Sequence, residues 1–359
     1  ILPDLFRPPL LAALLALAAV AEPAPAQVLP AAESTAGPPV VFVPPRDPPL
    51  PLLWQVSDAD NTVYLLGSFH LLRADDYPLS SDVNEAFADA EAVVFEMPPE
   101  EMNSPQLPVQ MMQAAVRTDG TGLDSELPAD TAARLRDWQA ANSAILQASG
   151  MTPERMQMFE PWFVALMISM TEMTKQGLDP KLGLDQHFID AAGIAGKRTG
   201  GFETAAQQIA LLDDMDREEQ LQFIDEALAQ AADDELSKLH AYWRAGDADA
   251  IWNEMGADMR DRYPKLYRHI NVVRNEAWVP KIEQMLAEAG TDDTLVVVGA
   301  LHLLGDDGEL SKIDVPDSAS KSVHREWLMV EPREQEREGR RGDGGEYGSS
   351  RTGPGVVSA

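Results

Sequence analysis

Short apolar runs lie at the two ends of the central part of the chain, and apolar residues at helical spacing fill the region between them. Leu52-Leu53-Trp54-Gln55-Val56 and Thr62-Val63-Tyr64-Leu65-Leu66 flank a polar turn at Asp58–Asn61. This pattern predicts a β-hairpin. Its second strand is apolar on both faces, which is typical of a strand in the middle of a sheet.

Further strands are predicted on both sides of a long helical region. Ser80–Ala90 has helical spacing, and Ala92–Met97 is a strand-like run. A last strand pair is predicted at Thr294–Val298 and Arg325–Val330. Residues 105–286 favour helix, with breaks near 120–122, 150–153, 177–180, 197–201 and 246. We therefore expect an α/β domain with a mixed central sheet built from both ends of the domain and a large helical middle section.

The first residues resemble a secretory signal peptide. Leu10–Ala21 is an almost unbroken Leu/Ala stretch, and Ala24-Pro25-Ala26 follows as a small-x-small cleavage site. About a dozen apolar residues are too few to span a bilayer, which takes roughly 20. The alternative is a buried helix, which the Pro-rich break after this stretch disfavours. We expect a signal peptide at residues 1–26, a mature protein that begins near Gln27, and a periplasmic or secreted location.

Composition divides the remaining chain into three parts. Residues 27–49 are rich in proline and predict an extended linker without regular helix or central strand. Residues 331–359 are mostly Glu, Arg, Gly and Ser, which predicts a disordered tail. Residues 50–330 remain as one catalytic domain. No segment after the predicted cleavage site is long and apolar enough to serve as a membrane anchor.

The charge and cysteine content narrow the possible partners and chemistry. The chain has 59 acidic and 28 basic residues, a net charge of −31. Such a charge repels phosphate backbones and anionic lipids, so we expect no nucleic-acid or membrane partner. The chain has no cysteine. A metal site would therefore use histidine and carboxylate ligands, and a nucleophile would be a residue other than cysteine.

A near repeat joins the two ends of the domain. Tyr64–Leu72 ends in Gly-Ser-Phe-His-Leu-Leu, and Val296–Leu304 ends in Gly-Ala-Leu-His-Leu-Leu. Each glycine permits a sharp turn and close approach to a ligand, because no Cβ is in the way. Each histidine then follows the carboxyl end of a strand, where open α/β sheets place ligand sites. If the two strands are neighbours, His70 and His302 converge on a shared site. The alternative is two histidines that serve only the core.

The order of motifs around this repeat resembles the TraB/GumN family. The resemblance covers roughly Leu52–Leu310, and its first motif, Gly-Ser-Phe-His, departs conservatively from the more usual Gly-Thr-x-His. The pieces that carry it are Trp54-Gln55-Val56, Val63–His70, Val94-Phe95-Glu96-Met97, Gly183–Phe188, Gly196-Lys197, Gly201–Thr204 with Gln207 or Gln208, Trp243–Asp247, Arg274-Asn275 and Val298–Leu304. The resemblance implies a relation to the TIKI metalloproteases and, more remotely, an erythromycin-esterase/ChaN-like fold. It also implies metal-dependent peptide hydrolysis.

Three residues are the candidate metal ligands. His70 and His302 offer imidazoles, and Glu96 ends an apolar strand, where a charge is costly unless it is paired or metal-bound. Two imidazoles and one carboxylate suit a divalent ion such as Zn²⁺, Mn²⁺ or Co²⁺ and leave a position for water. The alternative for Glu96 is a carboxylate at a strand end that faces solvent.

Three other residues are open to a catalytic and a structural interpretation. Glu203 precedes a predicted helix at Ala205–Leu212, so it is either a general base or ligand, or an acid stabilised by the helix dipole. Asp185 is either an N-cap of its helix or catalytic. Arg274 could stabilise an oxyanion or bind a substrate carboxylate, or could form an exposed salt bridge. Asn275 is a weaker candidate.

The remaining histidines and the Met-rich stretch have mainly structural interpretations. His187 lies two residues from Asp185, and such positions do not share a helix face. We interpret it as structural or as supporting a ligand. His240, His269 and His324 have no supporting pattern. Met151–Met173 is interpreted as core, with a haem or lipid surface as the alternative.

The sequence thus predicts an exported, metal-dependent hydrolase, most simply a peptidase that acts on a peptide or protein substrate. In this hypothesis a metal-activated water attacks, Glu96 or Glu203 takes its proton, and Arg274 offsets the developing charge. Two alternatives remain open. One is a non-enzymatic protein that binds haem, a metal or a polysaccharide in the same cleft. The other is an esterase-like hydrolase in which a histidine is the general base without metal.

Overall fold

The computed structural model describes residues 47–233, 235–288, 290–313 and 320–323. The predicted signal peptide, nearly all of the predicted linker, the predicted strand at 325–330 and the predicted tail lie outside these residues. Within the described part of the chain, no helix combines the length and the apolar character that crossing a membrane requires.

The strands form one mixed sheet. They are β1 (Leu53–Ser57), β2 (Thr62–Ser68), β3 (Ala92–Phe95), β4 (Arg198–Gly201), β5 (Thr294–Gly299) and β6 (Ser320–Val323). Their order across the sheet is β4-β3-β5-β2-β1-β6. β1 and β2 form the predicted antiparallel hairpin. β2, β5, β3 and β4 are mutually parallel, and β6 is antiparallel to β1.

Most of the helices lie between β3 and β5, as the spacing of apolar residues predicts, and the first and the last lie outside this region. The α-helices are α1 (Ser81–Asp89), α2 (Pro99–Met102), α3 (Leu107–Ala115), α4 (Ala129–Ala141), α5 (Ser143–Ala148), α6 (Pro153–Met156), α7 (Pro161–Lys175), α8 (Leu184–Ala195), α9 (Ala205–Asp213), α10 (Arg217–Asp233), α11 (Glu235–Ala245), α12 (Ala248–Ile251), α13 (Asp258–Arg262), α14 (Pro264–Tyr267), α15 (Val273–Ala287) and α16 (Glu309–Lys312). Two π-helical segments, Trp252–Ala257 and Arg268–Val272, interrupt the later helices, and Ala300–Leu303 is a 3₁₀ turn.

The α/β class and the joining of both chain ends in one sheet are confirmed. The strands that carry the repeat, β2 and β5, are adjacent and parallel, with Gly67 opposite Val298 and Ser68 opposite Gly299. Both strands are buried on both faces, as their continuous apolar runs predict. Their carboxyl ends therefore lie at one edge of the sheet, and the turns that follow them are neighbours.

One segment differs from the expectation. The stretch near 197–201 was expected only to interrupt the helices, but Arg198–Gly201 forms the edge strand β4, paired with β3. A Cβ on Gly201 would lie 2.3 Å from the backbone nitrogen of Pro98. The glycine is required because the two backbones approach too closely for a side chain. The short strand has no apolar alternation, and so the periodicity gives no strand signal here.

The Met-rich stretch belongs to the core. In α7 nearly every side chain is buried, and the methionines that are buried in this stretch are Met151, Met156, Met167, Met170 and Met173. Met158 is the exception, with 54% of its surface exposed. Their burial agrees with the interpretation as core, and Met173 also lines a pocket.

A buried polar cluster supports the turn after β2. Asp76 is fully buried and accepts hydrogen bonds from His240 Nε2 at 2.9 Å, from the Arg73 backbone N–H at 2.7 Å and from Arg244. The His240 ring packs edge-on against Phe69, which immediately precedes His70. Trp243 Nε1 donates to the carbonyl of Gly67 at 2.9 Å. The cluster thereby fixes the backbone that carries His70.

We expect Asp76→Asn to lower the free energy of unfolding by about 3 kcal/mol, because it removes one partner of a buried charged cluster. Burial raises the pKa of Asp76, but the bonds from His240, Arg73 and Arg244 outweigh burial, so the pKa is lowered below 3.8. The stabilisation is therefore present above pH 3.8 and is lost as pH falls through the lowered pKa. Urea unfolding at pH 7 and pH 3 measures this difference. Asp137→Asn, at an exposed position, should leave stability unchanged; equal losses in both variants would contradict the account.

Candidate functional site

The turns that follow three adjacent parallel strands bring the predicted residues together. His70 follows β2, Glu96 follows β3 and His302 follows β5, and β5 lies between the other two strands. Oε1 of Glu96 lies 3.9 Å from Nε2 of His70 and 3.9 Å from Nε2 of His302. The structure thus brings both imidazoles to the same carboxylate oxygen, and whether they share an ion stays a prediction.

The orientation of His70 is set by Asp185. Nδ1 of His70 lies 2.8 Å from Oδ2 of Asp185, and the Ser68 hydroxyl donates to the same oxygen. Because the carboxylate is an acceptor, Nδ1 carries the proton and Nε2 faces Glu96. Asp185 is the second residue of α8, whose N-cap is Gly183. The interpretation of Asp185 as an N-cap is therefore wrong, because its side chain reaches across to His70.

The orientation of His302 is set by Asn275 in the same manner. Oδ1 of Asn275 lies 2.6 Å from Nδ1 of His302, while its Nδ2 donates to the carbonyls of His302 and Asp307. The amide nitrogen is thus committed as a donor, and Oδ1 must be the acceptor. Nδ1 of His302 is then protonated, and its Nε2 presents a lone pair.

Glu96 is buried, with 1% of its surface exposed, so the interpretation as a solvent-facing glutamate is wrong. Its Oε1 accepts the backbone N–H of Gly299 at 2.8 Å. A Cβ on Gly299 would lie 3.2 Å from Oε1 of Glu96 and 3.2 Å from Nε2 of His70. The glycine of the second repeat therefore lets the carboxylate and the imidazole approach the end of β5.

Arg274 joins this group to Glu203. It is buried, and its Nη2 donates to Glu96 Oε2 at 2.7 Å and to Glu203 Oε2 at 2.8 Å. Its Nη1 lies 3.1 Å from Nε2 of His302. The interpretation of Arg274 as an exposed salt bridge is wrong, because helix α15 directs it into the interior between two carboxylates.

Glu203 lies on the far side of Arg274. Besides the guanidinium, it accepts hydrogen bonds from Trp278 Nε1 and Gln208 Nε2, both at 3.1 Å. The N-cap of α9 is Thr204, which forms a capping box with Gln207. Glu203 is thus held chiefly by side-chain donors, and its oxygens point at Arg274.

These charges shift the pKa values of the site in opposite directions. Burial raises the pKa of Glu96, but Arg274 and the two histidines outweigh burial and lower it to about 2. Burial lowers the pKa of His70, yet Asp185 and Glu96 raise it to about 9. Burial and Arg274 together lower the pKa of His302 to about 3. Near pH 7, Glu96 is therefore ionised and His302 is neutral.

The side chains of His70, His302 and Glu96 fit a divalent ion in the kind of atoms they offer and in the orientation of the two imidazole rings. Both histidines have Nδ1 bound to an acceptor and Nε2 turned to Glu96, which is the arrangement that metal-ligating histidines show in proteins. The present positions are wider than ligation needs: among the described residues, no three His or carboxylate groups are gathered closely enough to hold an ion. Arg274 Nη1 also engages the His302 lone pair. Ligation would require the His70 proton to leave and Arg274 to withdraw from His302.

Among the described residues, the remaining histidines lie outside this group. His187 packs against Tyr77 and Phe188, in agreement with a structural role. His240 belongs to the Asp76 cluster, and His269 contacts Glu219 at 3.2 Å. His324 lies outside the described residues.

The structure adds a buried acid that the sequence did not indicate. Glu309, the first residue of α16, is fully buried, and neither of its carboxyl oxygens has a hydrogen-bond partner among the described residues. Burial and the nearby charge of Glu96 raise the pKa of Glu309 well above 4.5. Its position after a loop of small and acidic residues resembles an ordinary exposed helix start, and so gives no signal of burial.

The substitution Glu309→Gln tests whether Glu309 is a buried, protonated acid, through its effect on the free energy of unfolding. The folded protein keeps the Glu309 proton, whereas the unfolded chain releases it above pH 4.5. Wild-type stability should therefore fall relative to the variant as pH rises above 4.5, by at most about 1.4 kcal/mol per pH unit. Urea unfolding of both proteins at pH 5, 6, 7 and 8 measures the difference. Glu85→Gln, at an exposed position, is the control; parallel curves for wild type and Glu309→Gln would contradict a buried neutral acid.

Comparisons with known proteins agree with the motifs. The sequence profile of the TraB/PrgY/gumN family matches residues 52–314. The chain is 28% identical over 253 residues to the uncharacterized protein YbaP of Escherichia coli K12, a match that covers 68% of this chain and 84% of YbaP. The YbaP of Shigella flexneri matches to the same extent. No solved structure matches significantly. Because the family profile spans most of the described residues, including the turns that carry His70, Glu96, Arg274 and His302, the chain belongs to the TraB/PrgY/gumN family.

Proposed function

We propose that this protein is a hydrolase of peptide bonds whose site holds a divalent metal ion between His70, His302 and Glu96. The observation that carries the proposal is the matched support of the two imidazoles. Asp185 and Asn275 each bind an Nδ1 atom, so that both Nε2 atoms lie 3.9 Å from the same oxygen of Glu96. A histidine that served only the core would need no such pairing around a carboxylate.

The ion, when bound, supplies polarisation of the scissile carbonyl and acidification of a water molecule. The chain supplies orientation and charge. Asp185 and Asn275 hold the rings in one tautomer, and buried Glu96 provides a negative charge that favours a cation. The identity of the ion is open among Zn²⁺, Mn²⁺ and Co²⁺, all of which accept imidazole and carboxylate ligands.

The other roles in the proposed hydrolysis belong to Arg274, Glu96 and Glu203. Arg274 is held in place by Glu203, and its N–H groups face the same pocket as Glu96, where they can offset negative charge that develops on a carbonyl oxygen. Glu96 lines the pocket and Glu203 does not, so Glu96 is the carboxylate of the two that a bound water can reach. Glu203 already accepts from Arg274, Trp278 and Gln208, which favours a role in positioning Arg274.

A specific contact favours a second candidate, a hydrolase that works without metal. Arg274 Nη1 lies 3.1 Å from Nε2 of His302, so the guanidinium engages the lone pair that an ion would use. The His70–Asp185 pair has the arrangement of a histidine that exchanges protons in acyl transfer. In this alternative His70 is the general acid or base and Arg274 is the electrophile.

The Leu/Ala stretch and the small-x-small site before Gln27 support a further part of the proposal, that the enzyme is exported and acts on a peptide or protein in the periplasm or outside the cell.

We expect His70→Ala and His302→Ala to lose peptide hydrolysis by more than about 100-fold and to lose bound metal in parallel, because each removes a ligand. Each variant should also lose some stability, because Asp185 or Asn275 is left without its buried partner, so circular dichroism first shows that the variants are folded. Metal content by mass spectrometry and hydrolysis of a casein-derived peptide mixture are the measurements. His187→Ala, which removes a histidine outside the site, is the matched control and should retain both activity and metal.

The metal chelator EDTA separates the candidates. Loss of wild-type activity in EDTA and its return with Mn²⁺ or Zn²⁺ support the metal enzyme. Full activity in EDTA, with His70→Ala inactive, supports the metal-independent hydrolase. Absence of turnover in every condition, with retained metal or haem binding, supports a binding protein.

A further inference from the structure

A pocket opens directly above the candidate site. Its floor is formed by the polar residues His70, Glu96, Arg274 and His302. The wall is built by helices α7, α10 and α11 and by the segments between α12 and α15. The cavity thus connects the polar side chains of the candidate site to a wall formed by helices.

The wall of the pocket is mainly apolar, and several of its side chains are methionines. The apolar side chains that form most of it are Met173, Leu236, Leu239, Ile251, Met255 and Met259. Methionine side chains are unbranched and adapt to ligands of different shape. The pocket thus combines convergent ionisable groups at one end with a mainly apolar wall that also contains Ser169, Glu226, Gln230 and Asn271, a combination that is typical of a ligand site.

Both π-helical segments border this pocket. The first supplies Met255, and the second supplies Ile270 and Asn271. A Cβ on Gly256, in the first segment, would lie 2.8 Å from Leu301 Cδ1, so this wall packs closely on the turn that carries His302. π-helical turns occur frequently at functional sites. The presence of both π-helical segments at the same cavity indicates that this wall is shaped to bind a ligand.

The charge of the wall limits what can bind. Of the described residues that line the pocket beyond its floor, Glu226 is the one that carries a charge, and Arg262 Nη1 lies 3.3 Å from its Oε2. An anionic group of a ligand would find no cationic residue among the described residues of this wall, and Glu226 already pairs with Arg262, so burial of a further charge there is unfavourable. An apolar group would displace water from the methionine and leucine side chains.

From this geometry we infer that the pocket binds a large apolar side chain of a peptide substrate, adjacent to the bond that lies over His70 and Glu96. The inference rests on the proposed peptidase function and adds its specificity: peptides with leucine or methionine beside the scissile bond are preferred, and those with a polar or charged residue there are rejected. The floor groups bind the peptide carbonyl, and the wall selects the side chain.

The direct test is binding, which does not depend on turnover. N-acetyl-leucinamide and N-acetyl-asparaginamide have side chains of nearly equal shape, and their affinities for the full-length protein are measured by calorimetry. We expect the leucine compound to bind about 10- to 100-fold tighter, because burying one aliphatic side chain has an effect of that size. Met255→Gln, which makes the wall polar at a half-buried position, should reduce this preference. Met112→Gln, at a half-buried methionine of α3 outside the pocket, should preserve it.

The outcomes separate this inference from the proposed function. Equal affinity for the two amides, or an equal loss of preference in both variants, overturns the apolar specificity even if the protein hydrolyses peptides. A leucine preference that Met255→Gln reduces supports the pocket even if no hydrolysis is found. If 1-octanol binds and neither amide does, the pocket takes an acyl chain and the inference is wrong. Circular dichroism of each variant confirms that it is folded before its affinities are compared.

Discussion

The buried guanidinium of Arg274 is the interaction on which the site depends. It bonds with Glu96 and Glu203 and contacts His302, and thereby links the turn after β3, the turn after β4, helix α15 and the turn after β5. Burial of a charge is costly unless partners compensate it, and removal of one partner from such a group typically costs about 3–5 kcal/mol. The residues of the site are therefore coupled: a change at any one of them alters the charge balance of the others.

The same interaction explains why the site admits two chemical interpretations. Asp185 and Asn275 turn both Nε2 atoms to Glu96, as a metal site requires, yet Arg274 provides the positive charge that Glu96 needs in the absence of an ion. The mainly apolar pocket is lined by Arg274, Glu96 and both histidines and is compatible with either chemistry.

The sequence predicted the parts of this arrangement that a local pattern encodes. Continuous apolar runs identified β2 and β5, and the repeated Gly-x-x-His placed both histidines after them, because parallel neighbours end at one edge of the sheet. A carboxylate at the end of an apolar strand identified Glu96. The ligand role of these residues stays a prediction. The sequence could not show that Asp185 crosses to His70 or that Glu309 is buried, because these depend on how α8 and α16 pack in three dimensions. Likewise β4 has no alternating pattern, and the pocket wall draws on helices far apart in the chain, whose methionines look like ordinary core.

The most direct test of the central claim is to locate a metal ion by anomalous diffraction from crystals of the full-length protein soaked in Mn²⁺. The account predicts an anomalous peak beside Nε2 of His70, Nε2 of His302 and the Glu96 carboxylate, with Arg274 withdrawn from His302 but still bound to Glu203. The contrary result is a structure without a peak at these atoms, in which Arg274 Nη1 remains at His302. That result would exclude a metal ion shared by the two histidines and leave the Arg274-centred, metal-independent site.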